Sequence, residues 1–364
     1  MRLRIYTSGI ALALGLLLAV PAGWGAAQEA PDAEATAVVV PNVELLQWGQ
    51  GMDNTFMGAL TVALRALGED ITYEYLMGVS GAAFKFHFHL PQWCPSSADA
   101  TCGFDCTQPA LEALGYSYRS LFAEAGSPEA EQLRAAVVES IDRGTPVVAI
   151  DLIEVPDWGV ITGYRGSGSE FLCRTYYDES AEYSLAKKQP WGLVIIDAKG
   201  ERPARRDSVA NSLQIAVGLA HTESFGDYAS GFAAFERWIA DLENESLFTQ
   251  SEASSGYTRE LVNAWVFYSL LHSRRVAADY LRFAAGEFEP AIGEHLTNAA
   301  DIYEEMVQVL EEGRQFAPFA WELEEGATWN ADMRHAEAGI LRHALERERS
   351  AVNELTEALA LLQE

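Results

Sequence analysis

The sequence predicts an exported α+β protein in which a domain built around an antiparallel sheet is followed by an all-α helical domain. Three observations lead to this prediction. The first residues have the pattern of a secretory signal, the following segments have helical and then strand-like periodicity, and the pattern from about Ser208 onward is helical. Helices followed by hairpin-connected strands are typical of an α+β arrangement rather than of repeated βαβ units.

The N-terminal segment 1–27 has the features of a cleavable signal peptide. It begins with two arginines, continues with an apolar run over 10–20, and has the small residues Gly25 and Ala27 before the expected cut. The alternative is an uncleaved anchor, but a spanning helix needs about 20 apolar residues. We therefore expect export to the periplasm or the extracellular space, without stable membrane insertion after cleavage. Residues 28–42, rich in Ala, Pro and Glu, are predicted to form a flexible linker.

The acidic composition limits the classes of partner. The formal net charge is −28, and a surface of this sign repels nucleic acid and anionic lipid. Solubility explains the acidity, although the charge is also compatible with a cationic ligand. The sequence has neither a phosphate-binding glycine loop nor an H-E-x-x-H or G-x-S-x-G motif, so no cofactor is predicted. The oligomeric state is left open.

Segment 43–205 is predicted to be the α+β domain. Apolar residues recur on one face of a helix at Phe56, Leu60, Ala63, Leu64 and Leu67. Asp53, Asn54 and Thr55 are residue types that cap a helix start. A second helix is predicted from Ser127-Pro128 to Gly144. Short apolar runs separated by turn-rich pieces predict strands at 146–150, 158–164, 171–176 and 192–196.

Two further patterns complete the element prediction. In 84–89, three phenylalanines alternate with Lys85, His87 and His89, which predicts a strand with the basic residues on the opposite face. Segment 206–364 has helical apolar stripes throughout, including a face shared by Leu261, Trp265, Tyr268 and His272. Such stripes are typical of packed bundle seams. An acidic helical domain is therefore predicted over 206–364.

Three segments carry a resemblance to a known family. Residues 53–68, DNTFMGALTVALRALG, residues 72–89, TYEYLMGVSGAAFKFHFH, and residues 144–178 together resemble papain-like domains of the peptidase C39 type. They are also similar to the N-terminal domain of the butirosin-biosynthesis acyltransferase. The resemblance implies a papain-like fold, in which a Cys opens the first helix, a His begins a sheet strand, and an Asp or Asn lies on the next strand.

The positions implied by the resemblance hold other residues. Thr55 stands where the Cys is expected, Trp158 or Gly159 stands where the His is expected, and Asp178 is a candidate third member. A papain-like mechanism needs a thiolate and a proton-accepting imidazole. The simplest alternative for Thr55 is a helix N-cap. Trp158 is interpreted as an aromatic side of the former cleft or as core packing.

The first functional hypothesis is therefore a catalytically degenerate papain-like protein that binds a small molecule or peptide in the former cleft. The predicted ligand-binding residues are Gln50, Asp53, Thr55, Trp158 and Tyr164. The alternative is an acyltransferase or hydrolase that uses non-standard residues of the same cleft. A second alternative is an interaction protein that acts through its helical domain.

A Cys/His group is the other chemical feature of the sequence. Cys94, Cys102 and Cys106 lie in a Pro/Ser/Gly-rich loop after His87 and His89. Because an exported protein meets an oxidising environment, the sequence predicts a disulfide between Cys94 and either Cys102 or Cys106. The alternative is a zinc site formed by the same five residues. The fourth cysteine, Cys173, is in a predicted strand and is expected to be a buried thiol.

Overall fold

The computed structural model describes residues 37–90, 93–124, 126–249 and 256–363. The predicted signal peptide over 1–27 and most of the predicted linker over 28–42 lie outside these residues. The described chain has an antiparallel sheet and a C-terminal helical region, which confirms the α+β class. None of the helices in these ranges is both long enough and apolar enough to cross a membrane.

The elements of the described chain follow one another without a repeat. The helices are α1 Thr55–Ala66, α2 Tyr73–Val79, α3 Thr107–Glu112, α4 Pro128–Asp142, α5 Arg205–His221, α6 Gly231–Leu242, α7 Arg259–Ala285, α8 Pro290–Gly313 and α9 Ala331–Leu361. The strands are β1 Val38–Val39, β2 His87–His89, β3 Tyr116–Phe122, β4 Val147–Ile150, β5 Trp158–Arg165, β6 Glu170–Arg174, β7 Ser184–Leu185, β8 Gly192–Lys199, β9 Ser224–Phe225 and β10 Tyr228–Ser230.

The larger sheet has the strand order β3-β8-β4-β5-β6-β7, with β1 also paired to β5, and its strands are antiparallel. Successive side chains of a strand point to opposite faces. In β4, Val148 and Ile150 therefore join the core that contains α1, whereas Val147 and Ala149 join the core under α4. Because both faces are covered, the central strands are nearly continuous apolar runs.

The smaller sheet, β2-β10-β9, differs from the sequence prediction. The basic residues Lys85 and His87 were expected on a separate polar face, but both are buried, like the three phenylalanines that alternate with them. Strand β2 pairs with β10, which lies inside the region 206–364 that was predicted to be helical, so α6 begins only at Gly231. Pairing with a strand about 140 residues away overrides the local helical pattern, which is a common outcome for short strands.

The helical region packs on the α1 side of the sheet and shares its core. One cluster of buried apolar side chains runs from α1 and β5 through α7 to α9, and Thr36–Glu364 form one compact unit. The predicted domains 43–205 and 206–364 therefore have a common core. Gly78 on α2 lies so close to the Tyr280 ring on α7 that a Cβ atom at Gly78 would collide with it. Close packing of α7 positions the candidate site.

Candidate functional site

The start of α1 is held by a side-chain cap. The Asn54 side chain accepts a hydrogen bond from the Met57 N–H (3.1 Å), so Asn54 is the N-cap and Thr55 is the first helical residue. The expectation that Thr55 itself caps the helix is wrong by one position. Asn is among the strongest N-cap residues, and its cap satisfies one of the free N–H groups of the first turn. Thr55 is half-buried.

Trp158 opens β5 and is a core residue. Its side chain is 2% exposed, and its indole N–H donates to the Asp99 carboxylate (2.8 Å). Its ring packs edge-on against Phe56, next to Thr55, with centroids 4.9 Å apart. The start of α1 and the start of β5 are therefore adjacent. Gly159 has no room for a larger residue, because a Cβ atom there would lie 2.7 Å from the Arg174 carbonyl oxygen.

Asp178 and Tyr164 lie in other environments. The buried Asp178 carboxylate forms an ion pair with Arg174 (2.7 Å) and accepts from the Ser184 hydroxyl (2.9 Å), so it anchors the loop between β6 and β7. The Tyr164 hydroxyl donates to Asp142 on α4 (2.7 Å), and its ring packs on the α4 side of the sheet. The sheet thus separates Tyr164 from the start of α1.

Asp53 is held by hydrogen bonds from two other parts of the chain, whereas Gln50, in the turn before it, is exposed. The Asp53 side chain is 6% exposed. Its carboxylate accepts from the Gly49 N–H (2.7 Å) and from the Tyr268 hydroxyl on α7 (2.6 Å). Burial, together with this hydrogen bond to Asp53, raises the pKa of Tyr268. The carboxylate before α1 is therefore fixed by α7.

His272 on α7 is the histidine that the sequence did not place near this site. Its Nδ1 lies 3.9 Å from the Asp53 carboxylate, and its Nε2 lies 2.9 Å from the Tyr73 hydroxyl oxygen. Since the Tyr73 oxygen already accepts from the Asn54 N–H (3.0 Å), we assign the hydroxyl proton to Nε2 and the imidazole proton to Nδ1, facing Asp53. Burial lowers the pKa of His272, while the Asp53 charge opposes that shift.

This polar network of Tyr268, Asp53, His272 and Tyr73 has only part of the arrangement of a catalytic relay. A carboxylate beside an imidazole orients a general base. The other nitrogen, which would take the proton of a nucleophile, is instead bound to a buried phenol. Burial raises the pKa of Tyr73 well above its ordinary value. The network therefore ties α7 to α1, and its proton acceptor is already occupied.

The space at the start of α1 is small because α7 covers it. The cavity there has a volume of about 20 Å³. Asn54, Lys85 and Asp99 line it together with Ser269 and Ser273 of α7. A volume of about 10–15 Å³ of this kind accommodates one water molecule. This cavity thus has room for water but not for a drug-sized ligand.

Aromatic rings continue from this site to the protein surface. Tyr176 contacts Trp48 (ring centroids 4.7 Å), Trp48 contacts Trp265 on α7 (5.3 Å), and Trp265 contacts Phe319 (5.0 Å). Trp321 stacks on Phe319 at 4.5 Å and is 69% exposed. We call these five residues the aromatic rim. An exposed tryptophan at the end of such a series is an available surface for an apolar or cationic ligand.

Two carboxylates, Asp99 and Asp157, lie near Trp158. Burial raises the pKa of Asp157 to about 6, the hydrogen bond from Tyr177 opposes this shift, and the negative charge of Asp99 adds to it. The Asp99 carboxylate accepts from Trp158 and from the Thr101 N–H (2.7 Å). The Asp99 carboxylate is therefore held by these donors, whereas burial favours the protonated form of Asp157.

The predicted disulfide is not present in the structure, in which the four cysteines are free thiols. Lys85 orders the loop instead. Its buried ammonium donates to the carbonyls of Asp99 (2.7 Å), Cys102 (2.5 Å) and Phe104 (2.9 Å). Burial raises the pKa of the Cys102 thiol to about 11 and that of the Cys106 thiol to about 12. A thiol with such a pKa is a poor nucleophile at neutral pH.

The zinc alternative is not supported either. Over the described ranges, no three His, Cys, Asp or Glu side chains come close enough to hold a metal ion, and these ranges include His87, His89, Cys94, Cys102 and Cys106. The His87 Nδ1 instead contacts the Cys102 carbonyl oxygen (3.2 Å). Burial and the nearby Lys85 charge lower the pKa of His87 to about 3. His87 is thus a neutral core residue.

Comparison with protein-family models finds no family that matches the chain, and comparison with curated proteins finds no matching relative. Function therefore has to be argued from the geometry of the residues themselves.

Proposed function

We propose that the chain is an exported, catalytically degenerate papain-like protein that binds a small molecule or peptide at the mouth of the former cleft. Its arrangement supports this proposal: α1 packs against β4 and β5 on one face of an antiparallel sheet, and α4 covers the other face. The two segments that carry the resemblance to the papain-like family, around Thr55 and Trp158, lie next to each other.

The observation that carries the non-catalytic part is the environment of Trp158. A papain-like enzyme needs an imidazole at this position to accept the proton of the nucleophile. Trp158 has no basic nitrogen, its N–H is already bound to Asp99, and its ring is packed into the core. Loss of the base costs orders of magnitude in rate.

The aromatic rim, together with Asp53 beneath it, is the proposed ligand site. Helix α7 excludes a ligand from the interior cavity of about 20 Å³, so a ligand has to bind outside it. The half-buried Trp48 and Trp265 and the exposed Trp321 offer apolar surface, and the negative charge of the protein favours a cationic group. In this proposal α7 is a permanent cover of the cleft and part of the site.

A hydrolase or acyltransferase is the second candidate, and the Asp53–His272 pair is the observation that favours it. In an active enzyme His272 would leave Tyr73 and accept a proton from a nucleophile beside the start of α1. Thr55 is the hydroxyl-bearing residue at that start. This candidate predicts turnover that depends on both His272 and Thr55.

Catalysis is tested by incubating the purified mature protein with a panel of peptide and thioester substrates. We expect no turnover, either in the native protein or in Thr55→Cys, with or without a thiol-alkylating reagent. Turnover that His272→Gln and Thr55→Ala both abolish would establish the second candidate. Turnover that alkylation abolishes would instead assign a cysteine nucleophile, and either result would overturn the non-catalytic proposal.

Binding is tested with the tripeptide Lys-Phe-Lys, followed by tryptophan fluorescence and calorimetry. We expect saturable binding that Trp321→Ala weakens about tenfold, in line with loss of one aromatic contact from a ligand site. Trp191→Ala is the matched control, because Trp191 is also exposed (39%) but lies next to β8, outside the rim. Equal affinities in both variants would exclude the rim as the site.

A further inference from the structure

A groove with a volume of about 330 Å³ lies between the start of α2, the start of α5 and the C-terminal half of α7. It is separate from the aromatic rim: Asp279 in the groove follows the rim residue Trp265 on α7 by 14 residues, which is roughly 21 Å along a helix. The volume is at the lower end of the range of about 300–1,000 Å³ for small-ligand sites.

The groove has an apolar surface that solvent can reach. Phe283 on α7 is 41% exposed, and Tyr75 on α2 packs edge-on against it with ring centroids 5.7 Å apart. Ile71 and Tyr280, both buried, complete this surface. Covering a large, partly exposed phenylalanine with an apolar group is favourable, because it removes apolar surface from water, and the second ring holds Phe283 in place.

The positive charges of the groove come from the segment that leads into α5. The guanidinium groups of Arg202 and Arg205 approach the carboxylates of Glu69 (3.5 Å) and Glu287 (3.6 Å). The Arg205 guanidinium also lies 5.8 Å from the centre of the Phe283 ring. Two arginines in the lining of a groove are suited to a carboxylate, to which the planar guanidinium donates two hydrogen bonds.

The negative charges come from the turn before α2, from α2 itself and from α7. Asp70 precedes α2, Glu74 is in its first turn, and Asp279 is on α7. In the described part of the chain, none of these three carboxylates has a cation within 4.0 Å. Partial burial raises the pKa of Asp279, Arg282 opposes this shift, and the charge of Glu74 adds to it. Two neighbouring carboxylates without a cation between them favour an ammonium group.

We propose that this groove binds a short apolar peptide with both termini free, of about dipeptide size. The peptide carboxylate lies against Arg202 and Arg205, its ammonium group against Glu74 and Asp279, and its side chains cover the aromatic surface. A free amino acid would fill less of the groove, whose volume is about 330 Å³. The inference goes beyond the proposed function, because the groove is a second site.

The test compares three ligands by calorimetry with the mature protein: Leu-Phe, its N-acetyl derivative without the ammonium group, and its amide without the carboxylate. We expect each derivative to bind at least about tenfold more weakly than Leu-Phe, since each loses a charge-assisted contact. Equal affinities for the three ligands, or no binding of Leu-Phe at millimolar concentration, would overturn the proposal.

Two variants assign the contacts. Arg205→Gln should weaken the binding of Leu-Phe about tenfold without further weakening the binding of its amide. Asp279→Asn should likewise weaken the binding of Leu-Phe about tenfold without further weakening the binding of its N-acetyl derivative. Arg206→Gln is the matched control, because this exposed neighbour pairs with Glu289 and does not line the groove. Unchanged Tm values, expected for exposed residues, would show that the variants fold. A loss of affinity in Arg206→Gln equal to that in Arg205→Gln would contradict the assignment, whereas Trp321→Ala should leave Leu-Phe binding unchanged.

Discussion

Arg274 tests whether α7 is a fixed part of the fold. Its side chain, on α7, is 0% exposed. Nε and Nη2 donate to the two carboxylate oxygens of Glu348 on α9 (2.6 and 2.8 Å), and Nη1 donates to the Ala83 carbonyl (2.8 Å). One side chain thus joins α7 to α9 and to the segment between α2 and β2. Since α7 also covers the start of α1, its attachment determines whether the cavity there stays covered.

The cost of removing Arg274 follows from these bonds. Arg274→Met keeps most of the side-chain volume but leaves the Glu348 carboxylate buried without its partner, which costs about 3–5 kcal/mol. The double variant Arg274→Met/Glu348→Leu removes both charges. Replacing a buried pair by apolar residues is often neutral. We therefore expect the free energy of unfolding of the double variant to lie within about 2 kcal/mol of that of the native protein, because the groups that lose a partner are the Ala83 carbonyl and the Tyr303 hydroxyl, which is bound to Glu348 at 3.4 Å.

Urea unfolding followed by circular dichroism and tryptophan fluorescence measures both effects. The two signals should give one coincident transition, because the segments share a core. The control is Arg275→Met, which removes the exposed neighbour (52%) that pairs with Glu311 and should cost less than about 1 kcal/mol. A loss below about 1 kcal/mol in Arg274→Met, or separate transitions in the native protein, would refute the reasoning that α7 is integral to the fold.

Three further predictions concern buried polar groups. Burial raises the pKa of Glu337 well above its ordinary value, so the folded protein keeps a proton that the unfolded chain releases above about pH 4.5. The free energy of unfolding should therefore fall as pH rises from there, and Glu337→Gln should remove this dependence in denaturation measured at several pH values. Cys106 and Cys173, whose pKa values burial raises to about 12, should react with iodoacetamide at pH 8 only after unfolding; rapid labelling of the folded protein would contradict this. Lys85→Met should cost about 3 kcal/mol, because it leaves carbonyls of the loop 99–104 unsatisfied, and protease cleavage confined to that loop would locate the effect.

The sequence predicted those parts of the fold that depend on local periodicity. The stripe from Phe56 to Leu67 corresponds to α1, and the apolar run at 146–150 corresponds to β4. Both patterns arise because a helix or strand has to turn one face, or both, to a core. Asp53 was also correctly placed before α1. The β2–β10 pairing was not predicted, because it joins residues about 140 positions apart.

For the candidate site, too, some features were predicted from the sequence and others were decided only by the tertiary structure. From the resemblance, the sequence predicted that Thr55 stands where a papain-like enzyme has its Cys and that Trp158 or Gly159 stands where it has its His. It also indicated His272, but only as one polar residue on the face of a helix that carries Trp265 and Tyr268. Tertiary structure decided that this face of α7 lies over the start of α1, so that His272 meets Asp53 across more than 200 residues of chain. Periodicity shows which face of α7 is buried, but only the packing of the complete chain determines what that face covers.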